Sequence, residues 1–143
     1  VSYLNTELDL PAIQAELQSR GRVQIRDFFS ANVADALHRA LQQVDWGLAF
    51  RNADGDDFLS GEALRKLNAV QRTALAEQIA QVASRGFQFS FFSHSIVQSA
   101  QAGQTDLLSR FAMWMAQEDF LSTMRSITGD AELNRIYAQG TLY

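Results

Sequence analysis

The sequence predicts an α+β fold, a few strands backed by helices, on three observations. Apolar residues recur at helical spacing over most of the 143 residues. Short stretches of period two, rich in aromatic and branched side chains, interrupt them at uneven intervals. No Gly-rich phosphate loop follows any of these stretches, which argues against a doubly wound parallel sheet.

Asp9-Leu10-Pro11 reads as a helix start, with Asp9 as cap and Pro11 in the first turn; Leu10, Ile13 and Leu17 share a face and Gly21 stops it. Arg22 to Phe28 alternates, Val23 and Ile25 against Arg22, Gln24 and Arg26, and predicts a short strand with one wet face. Ser30 caps a second helix with the stripe Val33, Leu37, Leu41 and Val44. Trp46 to Asn52 predicts a strand interrupted by Gly47, followed by a polar loop over Ala53 to Gly61.

The longest predicted helix runs from about Glu62 to Ser84, with Leu64, Leu67, Leu75, Ile79 and Val82 as its buried face and Gly86 as its stop. Phe87 to Val97 is the most β-like segment, with Phe87, Phe89 and Phe91 on one face and Ser90, Phe92, His94 and Ile96 on the other. A flexible loop, Ser99 to Gln104, leads to a helix capped by Thr105 or Asp106 and carrying Leu107, Leu108, Phe111, Trp114 and Met115. Asp119 is expected to cap the last helix, with Phe120, Met124 and Ile127 inward and Gly129 as its end. Leu133 to Tyr143 alternates again: Ile136, Ala138, Gly140 and Leu142 one way, Tyr137, Gln139, Thr141 and Tyr143 the other. No repeat, low-complexity tract or linker divides the chain, so a single domain over 1–143 is expected.

The motifs Gly86-Phe87-Gln88-Phe89, Ile127-Thr128-Gly129 and Ala138-Gln139-Gly140-Thr141-Leu142-Tyr143 resemble the amino-terminal half of the iron(II)- and 2-oxoglutarate-dependent prolyl hydroxylase family. The resemblance implies supporting helices packed on the first strands of an incomplete double-stranded β-helix, or jelly-roll, sheet. It implies an oxidoreductase that couples decarboxylation of 2-oxoglutarate at Fe(II) to hydroxylation of a C–H bond, often of proline. By the same resemblance Tyr143 lines the 2-oxoglutarate pocket, with Gln139 and Thr141 on the same side of the strand.

The family's first iron motif, His-x-Asp, is not found here; it would lie beyond Tyr143, and the chain reads as truncated before it. The chain alone is therefore expected to bind no iron and to turn nothing over, with no catalytic and no metal-ligating residue of its own. An open terminal strand would favour a homodimer by edge pairing.

Other chemistries find little in these residues. His38 and His94 stand in His38-Arg39-Ala40 and His94-Ser95-Ile96, neither with a metal-ligand spacing. Ser93-His94-Ser95 sets two hydroxyls beside an imidazole, but strand neighbours point to opposite faces. The loop from Asn52 to Ala63 approaches a calcium loop through Asp54 to Asp57. It has Asp57 where Gly is needed and Ala63 where a bidentate Glu is needed. The alternatives are thus a non-catalytic α+β interaction module or, less favoured, a calcium module.

A net charge of −4 leaves no basic patch for nucleic acid. The absence of Cys excludes disulfides and thiolate sites. No apolar run approaches the roughly 20 residues of a membrane span, and no signal-peptide pattern is visible at the start. A cytoplasmic protein is expected.

Overall fold

The computed structural model describes residues 3–143. They form two compact units, the segment up to Gln42 with Ile96–Ala138, and Gln43–Ser95 with Gln139–Tyr143.

The first unit is helical. It comprises α1 (Leu10–Arg20), α2 (Ala31–Leu41), α5 (Ile96–Gln101), α6 (Leu107–Met115) and α7 (Glu118–Thr128). The Asp9 carboxylate accepts the Ala12 N–H at 3.1 Å, and Gly21 ends α1 in the left-handed region at φ 67°, its N–H returning to the Leu17 carbonyl. Gly129 closes α7 in the same way at φ 74°.

The core of this unit is aromatic. Phe111 lies 5.3 Å from Phe29 and 5.6 Å from Trp114, Trp114 lies 5.0 Å from Phe120, and Tyr3 stacks on Trp114 at 4.5 Å. Val33, Leu37, Leu108, Met115, Leu121 and Ile127 are buried around it. Each such side chain contributes roughly 1.5–3 kcal/mol on burial.

Three boundaries in this unit differ from expectation, and a fourth, the start of α6, falls on one of the two residues expected. Arg22–Phe28 forms no strand. Among the described residues the pairing beside it is an isolated bridge between Leu4 and Phe29, with Asn5 N–H donating to the Phe28 carbonyl at 3.0 Å. Period two needs a partner ladder to become a strand, and here Phe28 and Phe29 instead turn into the aromatic core. The predicted loop at Ser99 is occupied by α5, whose first N–H groups, of Ile96 and Val97, reach the Ala138 carbonyl. Asp106 is the cap of α6. Gln117, not Asp119, is the cap residue of α7, and Glu118 and Asp119 occupy its first turn, where the helix dipole favours negative charge.

The second unit is a sheet with two helices. It comprises β1 (Gly47–Asn52), β2 (Gly55–Leu59), α3 (Gly61–Lys66), α4 (Ala69–Ala83), β3 (Ser90–Ser95) and β4 (Gln139–Leu142). The sheet order is β2-β1-β3-β4, antiparallel throughout. The predicted polar loop over Ala53–Gly61 is mostly β2. The Asn52 amide oxygen accepts the N–H groups of Asp54 and Gly55, at 2.8 and 3.0 Å, and so shapes a two-residue hairpin turn. Across the hairpin Arg51 pairs with Asp56 at 3.5 Å.

The long predicted helix breaks at Leu67, which is extended at φ −66°, ψ 129°. Asn68 and Gln71 then form a reciprocal capping box that restarts it as α4. The terminal strand is shorter than the alternation over 133–143: only Gln139–Leu142 finds a ladder.

The outcome is α+β, seven helices and a four-stranded antiparallel sheet among the described residues. None of these helices is long and apolar enough to cross a membrane.

Candidate functional site

The register of β3 and β4 builds the site. Phe92 faces Leu142, Ser93 faces Thr141, His94 faces Gly140 and Ser95 faces Gln139. Directly opposed residues share a sheet face and neighbours alternate. Gln139 and Thr141 therefore stand on one face with Ser93 and Ser95. β1 adds Gly47 opposite Ser93 and Ala49 opposite Phe91 on the same face.

The Ser93 hydroxyl is buried and donates to the Gln139 amide oxygen at 3.4 Å. Tyr143 follows β4, 93 % exposed, and its ring rests 5.6 Å from Phe91. Phe89 continues the row 5.7 Å from Phe91. A polar strip of hydroxyls and one amide thus lies beside an aromatic row. Such a strip can recognise a ligand by neutral hydrogen bonds and ring contact; further along the same face stand Arg51 and Asp56, paired with each other.

The three residues expected at the pocket, Gln139, Thr141 and Tyr143, are brought together on one face. Ser93 and Ser95, which join them, were not assigned there from the sequence. Their place depends on a register between segments 46 residues apart. Gly47 is part of the same surface: a methyl group there would overlap the Phe58 ring and come within 2.8 Å of the Leu59 carbonyl oxygen.

The histidines lie elsewhere. His94 is on the other face of β3, half-buried, with Nδ1 3.4 Å from the Asp45 carbonyl oxygen, which places a ring proton on Nδ1. His38 is exposed on α2 in the helical unit, with Nε2 3.0 Å from the Gln42 side-chain nitrogen. Among the described residues no three His, Cys, Asp or Glu side chains gather as a metal site. Asp56 and Asp57 are consecutive in β2 and project to opposite faces. Asp57 accepts from the Asn52 amide at 2.9 Å, so these carboxylates diverge where a calcium loop would converge them.

Among the described residues two titrating groups are shifted, both for structural reasons. The hydrogen bond to Asp45, with its charge, raises the Arg65 guanidinium further. The Ser109 backbone N–H at the start of α6 holds the Asp106 carboxyl below its ordinary range.

No family model matches this chain, and neither does any curated protein or solved structure.

Proposed function

We propose that this chain is the amino-terminal part of a non-haem Fe(II)/2-oxoglutarate-dependent dioxygenase resembling the prolyl hydroxylases, acting in the cytoplasm on a proline-containing or other C–H substrate. The observation that carries the reading is the register of β4. It sets the motif residues Gln139 and Thr141, and Tyr143 after them, on the sheet face opposite Leu48 and Phe92, the strand residues that line a cavity with α3 and α4. In the proposed enzyme that face is the inner wall of a jelly roll.

The described residues offer no ligand set for iron, so the reading gives this chain the cosubstrate wall and not the metal. Bound iron would supply oxygen activation. The chain's own contribution is orientation: the Thr141 hydroxyl and the Tyr143 phenol donate to cosubstrate oxygens, and Ser93 holds the Gln139 amide in place. Supporting helices on the far face keep that wall rigid.

The reading frame after Tyr143 tests it. A Gly-containing turn followed by His-x-Asp is expected within about thirty codons, from ordinary strand and loop lengths. The encoded protein should form succinate from 2-oxoglutarate with Fe(II), whereas residues 1–143 alone should not exceed the blank. A stop codon at once, no His-x-Asp, or turnover by the chain alone overturns the proposal.

A second reading, a non-catalytic interaction module, is favoured by one feature of the sheet. Among the described residues β4 has a strand neighbour on one side only, and its last residue Leu142 and the following Tyr143 are exposed. That edge suits pairing with β4 of a second copy.

A further inference from the structure

The face of the sheet opposite Gln139 and Thr141 carries a cavity of about 430 Å³. That is within the range of small-molecule sites. Leu48 and Phe92 form its floor, and Leu64 from α3, Leu67 at the break after it, and Leu75 and Ile79 from α4 its walls. These helices do not seal it: Phe92, on an inner strand, remains 41 % exposed, and Leu75 and Ile79 are only half-buried. The break at Leu67 and the capping box at Asn68 fix where α4 begins above this gap.

The charges at the cavity do not cancel. Arg65 is held by both carboxylate oxygens of Asp45, one of them at 3.1 Å. Arg72 also lines the cavity, but only its Nε is used, donating to the Leu67 carbonyl at 3.1 Å, and it enters no ion pair among the described residues. Two guanidiniums and one carboxylate leave a local surplus of one positive charge in a chain whose net charge is −4. The two terminal nitrogens of Arg72 are the fork that suits a carboxylate.

We propose that this cavity binds a medium-chain alkyl carboxylate. The chain lies along the aliphatic walls and covers Phe92, and the carboxylate meets Arg72 at the mouth. The aliphatic lining favours an alkyl body, and the unneutralised guanidinium favours an anionic head. The site is separate from the strip on β4 and stands whether or not the oxygenase reading holds.

Decanoate titrated into the chain tests this, followed by the indole N–H resonance of Trp46, which lines the cavity and is one of two tryptophans. The expected result is a saturable shift of one indole signal. Decanol should bind at least about tenfold more weakly, the value of one charge-assisted contact. Arg72→Gln should bring decanoate down to the level of decanol, and Ala76→Trp should fill the cavity and abolish binding with unchanged circular dichroism. No saturable shift, equal binding of decanol and decanoate, or full affinity in Arg72→Gln overturns the proposal. Arg72→Gln alters an exposed side chain and keeps the test valid if Ala76→Trp fails to fold.

Discussion

Thr141 stands directly across from Ser93 in the β3–β4 ladder, next to the 3.4 Å contact between the Ser93 hydroxyl and the Gln139 amide. The polar side of β4 is therefore fastened at Gln139 and open at Thr141 and Tyr143, which are exposed. Such exposed side chains add little to stability. Thr141→Val and Tyr143→Phe are expected to change the unfolding free energy of the chain by under about 0.5 kcal/mol. In the proposed oxygenase the same substitutions should raise the KM for 2-oxoglutarate several-fold through lost hydrogen bonds. Urea titration and succinate assays measure the two effects separately. A large stability loss with unchanged KM would make these residues structural.

Gly47 is buried beneath the Phe58 ring, and its position admits no side chain. Gly47→Ala should destabilise the sheet unit by about 1–3 kcal/mol, the usual cost of overpacking. Phe58→Ala on the same background should restore only part of that loss, because the Leu59 carbonyl oxygen, 2.8 Å from the added methyl, is backbone and cannot move aside. Denaturation midpoints of the two variants and of the double variant settle the matter.

Asp106 accepts from both the Ser109 N–H, at 3.0 Å, and the Ser109 hydroxyl, at 2.9 Å, at the start of α6. These bonds hold its carboxyl below the ordinary range. The stabilisation is therefore present above the carboxyl's unfolded value of about 4 and is lost as the pH falls through the lower, folded value. Asp106→Ala should cost about 0.5–2 kcal/mol at pH 7, as caps do. Asp106→Asn should retain most of the cap and lose that acid dependence. Urea midpoints followed from pH 7 into the acid range distinguish the two.

The local signals were legible where one residue decides the outcome. Asp9 and Pro11, Gly21, Asp106 and Gly129 mark helix ends that the backbone obeys. Period two was a weaker guide, because it shows which side chains could share a face and not whether a ladder exists. Arg22–Phe28 alternates without a partner, whereas Gly55–Leu59 reads as a polar loop yet pairs along its whole length with β1. Asn52, Asp54 and Gly55 were the turn residues available in the sequence. The break at Leu67–Asn68 was also written there, in Asn68 and Gln71, but the continuing apolar stripe masked it. At the site, the shared side of Gln139, Thr141 and Tyr143 followed from alternation alone. The addition of Ser93, Ser95 and Phe91 is long-range pairing, which no local pattern encodes.

Strand β4 tests whether the sheet edge seeks a partner. It pairs with β3 and presents its other side with no strand beside it among the described residues. At its end, Leu142 is 51 % exposed. An edge with apolar flanks and no proline or lysine is a template for pairing with another chain. The chain is expected to show a concentration-dependent dimer by light scattering. Leu142→Lys should shift it to monomer, since a lysine on an edge strand opposes pairing with another chain. Because Leu142 is half outside the packing already, its replacement should lower stability by no more than about 1 kcal/mol. A monomer at all concentrations, or a dimer unaffected by Leu142→Lys, would show that β4 is not the surface through which two copies meet.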